Sequence, residues 1–144
     1  MESTFEPGCS DNLSMPLVLA ADDEPFILQY IAHVLQSANY RVITVNTVDE
    51  AWRIFQRRQP EIELVLTDVV MPGSVDGMDL AERIHQLDPS LPVLFITGAL
   101  SESDPRTALM VEKQQVLRKP FFPKQLVDFV GAQIQRQSSS GLAR

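Results

Sequence analysis

Five side chains, Asp22, Asp23, Asp68, Thr97 and Lys119, are of the types that phosphoryl chemistry on a carboxylate requires. One acid can be the acceptor, others can hold a hard divalent cation, and a hydroxyl and an ammonium can meet phosphoryl oxygens. Each follows a short apolar run. Pro16 to Ala21 leads into Asp22-Asp23, Leu64 to Thr67 into Asp68, Val93 to Ile96 into Thr97-Gly98, and Val116 to Arg118 into Lys119-Pro120. Runs of this kind bounded by turn formers read as buried strands, and helical patterns lie between them, so the sheet is expected to be parallel. Parallel strands point their carboxyl ends at one edge, where open α/β folds keep their sites. Residues far apart in the chain are thereby expected to converge.

The elements that must position them follow from periodicity. After Asp23, Pro25 suits a first helical turn, and Ile27, Ile31, Val34, Leu35 and Ala38 form one apolar face. Arg41 to Val45 alternates as a short strand. Thr47 and Glu50 have the spacing of a capping box, with Val48, Ala51, Trp52 and Phe55 as the inward stripe before Pro60 stops the helix. Met71 to Gly77 is a loop by its turn residues, and a helix runs from about Met78 to Gln86 before Asp88-Pro89. Ser101 to Glu112 is a weaker helix containing Pro105. Pro123 to Arg136 is a clear one, with Leu126, Val127, Val130 and Ile134 inward. Five β-α repeats require right-handed crossovers and helices on both faces.

Composition narrows the function classes. The chain has 144 residues, 44% of them hydrophobic, which is enough for one compact core. No segment approaches the ~18 apolar residues of a membrane span. Residues 1–14 carry acids but no Lys or Arg, unlike a secretory signal, and a cytoplasmic location is expected. The net charge of −7 repels nucleic acid, so no direct contact with it is expected. Cys9 is the single cysteine and can form no internal disulfide. His33 and His85 stand apart from any Cys or His at metal spacing and read as helix residues. The boundaries expected are a mobile leader at 1–14, a domain at 15–137 and a mobile tail at 138–144.

No glycine-rich phosphate loop follows the first strand, where the turn is Ala-Asp-Asp-Glu-Pro. Its acids favour a bound cation over a directly bound pyrophosphate. Carboxylates about 5 Å apart repel by roughly 3 kcal/mol per pair at an effective dielectric near 20. Asp22, Asp23 and Asp68 therefore need counter-charge, of which Lys119 supplies about one unit and a hard divalent ion such as Mg2+ about two. Taken singly, each residue has a plainer role: Asp22-Asp23 as a helix cap, Thr97 as strand-end packing, Lys119 as a surface charge. Their joint occurrence at four strand ends favours a shared site.

These residues carry a resemblance. Ala21-Asp22-Asp23-Glu24, Leu66 to Pro72, Asp76-Gly77-Met78, Phe95 to Gly98 and Arg118 to Phe121 are similar to the motifs of the receiver domain of two-component response regulators, in family order from about Leu17 to Gln135. The resemblance implies a doubly wound (βα)5 sandwich of flavodoxin-like or CheY-like kind, with a five-stranded parallel sheet in the order 2-1-3-4-5. It implies that Asp68 is the phosphoacceptor in a phosphorelay, taking its phosphoryl group from a phosphohistidine of a histidine kinase or histidine phosphotransfer protein. Asp23, Asp68 and the Val70 carbonyl would ligate Mg2+, with Asp22 acting through water. Thr97 would be the switch hydroxyl and Lys119 the cation that pairs with the phosphoryl group, next to a cis bond to Pro120. The loop after Thr97-Gly98 (the fourth strand to fourth helix loop), and the surface formed by the helix at Ser101 to Glu112, the strand at Val116 to Arg118 and the helix at Pro123 to Arg136, would change for a downstream protein target. Such a domain is a signalling module that dephosphorylates slowly at most.

Departures from the commoner family pattern also have consequences. The position three before Lys119 often holds an aromatic ring; Val116 has neither the volume nor the torsion for a ring flip. Val70 and Ala99, two beyond Asp68 and Thr97, have no polar side-chain atom to orient a hydrolytic water. An aspartyl-phosphate phosphatase, the enzyme alternative, usually has an acid where Val70 stands, and a receiver reduced to a structural module usually lacks one of Asp23, Asp68, Thr97 and Lys119. Trp52 and Ile27 read as core, and Phe26 and Tyr30 as part of a docking surface beside the site. No output domain is legible in the sequence.

Overall fold

The computed structural model describes residues 15–98 and 103–139; the leader at 1–14, Ala99, Ser101 and residues 140–144 lie outside them. Five strands, β1 (Leu17–Ala21), β2 (Arg41–Val45), β3 (Ile62–Asp68), β4 (Val93–Thr97) and β5 (Val116–Arg118), alternate with α1 (Pro25–Ser37), α2 (Val48–Arg58), α3 (Gly77–Leu87), α4 (Pro105–Glu112) and α5 (Pro123–Ser139). All strand pairs are parallel and the order is β2-β1-β3-β4-β5, as expected.

Every residue of β1 and β4 is buried, because both are interior strands covered on both faces. Side chains alternate between two cores. Leu17, Leu19, Val65, Val93 and Phe95 join residues of α2, α3 and Met110 of α4 on one face. Val18, Ala20, Leu64, Leu66, Leu94 and Ile96 join Ile31, Val34, Leu35, Leu126 and Val130 on the other, between the sheet and α1 with α5. Helices thus lie on both faces.

Several local expectations are refined. The Thr47 hydroxyl accepts from the Glu50 amide at 3.0 Å, but Glu50 Oε1 returns to the Asn46 amide rather than to Thr47, so the box is only half closed. The complete capping box is at α3, where Asp76 and Asp79 each accept the other's backbone N–H. Trp52 and Ile27 are partly buried at the margins of the two cores. The Trp52 ring stacks on Phe55 at 5.6 Å, and the Arg83 guanidinium lies 5.5 Å from the Trp52 ring centroid. The fourth helix begins at Pro105, capped by the Asp104 side chain on the Arg106 amide. Of its residues only Thr107 and Met110 are buried. Thin packing explains its weak apolar pattern.

Candidate phosphoacceptor site

Strand register brings the chemistry together. Ala21 pairs with Thr67, so Asp22 stands level with Asp68. Asp68 pairs with Ile96 and Thr97 with Arg118, so Thr97 and then Lys119 step outward past Asp68 along the same edge. The Lys119 amide also donates to the Thr97 carbonyl at 2.8 Å. Asp23, Glu24, Asp68, Val70, Thr97, Gly98 and Lys119 line one concavity of about 390 Å³.

Asp68 closes β3 and is only 6% exposed. Its Oδ1 accepts from the Val70 amide at 3.3 Å, and its Oδ2 accepts from Lys119 Nζ at 3.1 Å. Asp22 is fully buried; its Oδ1 accepts from the Glu24 amide at 2.9 Å, a turn ahead of α1 and not the helix cap expected of it, since the N-cap residue is Glu24 and no side chain caps that end. Asp22 Oδ2 lies 3.0 Å from Lys119 Nζ, an ion pair that lacks the directionality of a hydrogen bond. Asp23 is exposed at the mouth. One ligand oxygen from each of Asp22, Asp23 and Asp68 lies within 4.8 Å of the others. This all-oxygen donor set suits a hard cation such as Mg2+.

The electrostatics reflect the crowding. Burial pushes the Asp68 carboxyl above its ordinary value, opposed by Lys119 and reinforced by Asp23. Burial raises Asp22 in the same way, against the Glu24 amide and Lys119. For Lys119, burial alone would lower the ammonium, but its hydrogen bonds to Glu24 and Asp68 and its ion pair with Asp22 outweigh that and hold it well above the ordinary lysine range. Glu24 is the participant that sequence reasoning passed over: its Oε1 accepts from Lys119 Nζ at 2.9 Å. It adjoins Asp22-Asp23, but no motif signals that its side chain reaches β5's end.

Three large apolar residues close in sequence to the lining are exposed, and one of them, Val70, lines the concavity itself. Phe26 is 83% exposed, Phe122 75% and Val70 63%. Tyr30, expected beside Phe26 on a docking surface, is instead partly buried: its hydroxyl donates to the Phe121 carbonyl at 2.9 Å and its ring lies 5.7 Å from that of Phe121. The Lys119-Pro120 bond is cis. His33 lies on α1, and the His85 imidazole contacts the Leu91 carbonyl at 3.0 Å, so neither approaches the acids.

The family model described as the response regulator receiver domain matches residues 18–131, and the chain belongs to that family. It is a receiver domain of the two-component response regulators, a signalling domain rather than an ordinary enzyme. The response regulator receiver protein CpdR of Brucella abortus is 37% identical over 121 residues, 79% of this chain and 92% of that protein. The response regulator GtcR of Aneurinibacillus migulanus is 31% identical over 119 residues, 83% of this chain but 48% of that protein. The chain spans about half the length of several of the curated relatives it matches. A receiver domain from Clostridium thermocellum superposes with a TM-score of 0.74 at 31% identity, covering 86% of this chain and 98% of that one. Among the described residues, no helix is long and apolar enough to cross a membrane.

Proposed function

We propose that Asp68 accepts a phosphoryl group from a phosphohistidine of a partner histidine kinase or histidine phosphotransfer protein. A carboxylate oxygen of Asp68 bonds to phosphorus, the histidine N–phosphorus bond breaks, and an acyl phosphate and an imidazole result. The observation that carries this reading is the placement of a buried Asp68 carboxylate, with Lys119 Nζ 3.1 Å away, beside two further carboxylates in a concavity that Thr97 also lines.

Asp23, Asp68 and the Val70 carbonyl would hold Mg2+, with Asp22 acting through water. The bound ion supplies charge neutralisation for the phosphoryl oxygens. Lys119 exchanges part of its contact with the carboxylates for the phosphoryl oxygens, and the Thr97 hydroxyl donates to them. Modification replaces one negative charge at Asp68 with about two and adds acceptor oxygens. That change redistributes the donors around it and alters the surface formed by the β4-α4 loop, α4, β5 and α5 for a downstream protein. The exposed Phe26 and Phe122, close in sequence to Glu24 and Lys119, suit contact with the donor protein. With an apolar Val70 at the site, self-dephosphorylation is slow. The domain works in the cytoplasm, without direct contact to nucleic acid or membrane.

The test is intact mass after exposure to acetyl phosphate and Mg2+. Wild type is expected to gain about 80 Da once and Asp68→Asn to gain nothing. Addition to Asp68→Asn, or none to wild type, refutes the assignment.

A further inference from the structure

Arg106, in the first turn of α4, sits among four carboxylates. Its Nη1 donates to Asp79 Oδ1 at 3.0 Å and its Nη2 to Asp104 Oδ2 at 2.9 Å, while Nε lies 3.2 Å from Asp104 Oδ1. Glu82 Oε2 lies 3.5 Å from Nη1 and Asp76 Oδ2 3.9 Å from Nη2. Asp104 is α4's own cap, whereas Asp76, Asp79 and Glu82 belong to the start of α3. The guanidinium therefore fastens one helix to the other.

The far end of this fastening is the phosphoacceptor's own backbone. Asp76 and Asp79 cap α3 reciprocally, the Gly77 amide between them donates to the Val69 carbonyl at 2.9 Å, and a Cβ at Gly77 would strike the Asp68 carbonyl oxygen. Polar contacts thus run unbroken from α4 through α3's first turn to β3's end. On α4 itself only Thr107 and Met110 are buried, and Leu109 and Val111 are half exposed. An eight-residue helix has little stability of its own, so this forked pairing has an unusually large share in placing it.

We propose that Arg106 is a positioning residue that holds α4 in its resting place against α3 and thereby limits how readily Asp68 is phosphorylated. This rests on the phosphoacceptor reading above. A displacement of α4's first turn by an ångström or two would take the Arg106–Asp79 contact beyond hydrogen-bond range, so its free energy belongs to the resting arrangement alone. By linkage, whatever favours that arrangement opposes the modification that favours the other. With Val116 in place of a ring, movement of α4 is the remaining route by which the site can be read.

The test uses the full chain and two variants, Arg106→Gln and Arg106→Lys. Before any donor is added, amide hydrogen exchange across residues 103–112 is expected to be fastest in Arg106→Gln and intermediate in Arg106→Lys, which keeps the charge but loses the fork. Differences should shrink toward 1 M salt, where the screening length falls to about 3 Å and the longer pairings to Glu82 and Asp76 are weakened. With acetyl phosphate and Mg2+, Arg106→Gln is expected to gain its single adduct roughly three- to tenfold faster than wild type, a ratio that returns toward one in high salt. Equal exchange and equal rates overturn the proposal, as does slower phosphorylation by a folded variant. Should Arg106→Gln fail to fold, Arg106→Lys carries both measurements with the same signs. If wild type takes up no phosphoryl group, the underlying reading fails and takes this one with it; normal uptake in wild type with unchanged variants overturns the latch alone.

Discussion

Lys119 holds three carboxylates at 2.9 to 3.1 Å, yet burial still raises Asp22 and Asp68. For an acid whose pKa is higher folded than unfolded, the favourable contribution is fully present below the unfolded value and is lost as pH rises through the folded one. Asp68→Asn removes that loss and leaves Lys119 with Asp22 and Glu24. In metal-free buffer its melting temperature is expected to match wild type well below pH 3.8 and to exceed it above, the gap levelling off once the wild-type carboxyl is ionised. A clearly lower melting temperature at neutral pH would show that the Lys119 contact outweighs desolvation. Val70→Asn is expected to shorten the life of the phosphorylated state severalfold to about tenfold, because an amide beside the acyl phosphate can hold a water in line. Decay after donor removal, in excess Mg2+, measures it; equal lifetimes would place control of water access elsewhere. The meeting of Asp22, Asp23, Asp68, Thr97 and Lys119 at one sheet edge was legible because each follows an apolar run. Glu24 and Arg106 were not, since long side chains outside strand ends reach partners that only folding brings near.

Two glycines mark how differently the elements around the site are packed. Gly77 presses α3 onto the Asp68 carbonyl, whereas a Cβ at Gly98 would have nothing within 4 Å. Gly77→Ala is expected to cost about 1–3 kcal/mol by overpacking, and Gly98→Ala less than about 0.5 kcal/mol. Chemical denaturation of the two variants side by side measures the contrast, and equal losses would mean that α3's first turn yields freely. The same uneven packing decided what the sequence could reveal. Continuous apolar runs marked the interior strands, and the 3.6-residue stripes of α1, α2 and α5 survived into the structure. α4 has two buried residues, so no stripe could set its limits, and its start moved to the Pro105 that the Asp104 cap precedes. The α2 capping box was read from spacing, but Glu50 turned toward Asn46, a choice of side-chain torsion that spacing does not encode.

Across the molecule, two apolar layers clamp the sheet while repelling charge gathers at its carboxyl edge, so a cation that binds only the folded chain stabilises the whole fold. At ten times its dissociation constant, Mg2+ is expected to add about 1.4 kcal/mol. Thermal melts should rise with Mg2+ concentration in wild type and much less in Asp23→Ala, which also slows phosphorylation. Asp22→Ala should weaken the Mg2+ response less, as befits a group acting through water. A melting temperature indifferent to Mg2+ in wild type would remove the acids' assigned purpose. The net charge of −7 leaves this edge among other acids, so the response should be specific to divalent ions rather than to ionic strength alone.

The grip of three carboxylates on Lys119 also decides which nucleophile an activated acyl donor meets. Acetyl phosphate carries two electrophilic centres, phosphorus and carbonyl carbon, and an amine attacks the second only when unprotonated. Held charged, donating to Glu24 and Asp68 and ion-paired with Asp22, Lys119 is a poor base although it stands beside Asp68. The donor's phosphoryl group can therefore be delivered within reach of an amine without its acetyl group being captured there. Peptide mapping after prolonged exposure should find acetyl adducts on exposed Lys113 and none on Lys119.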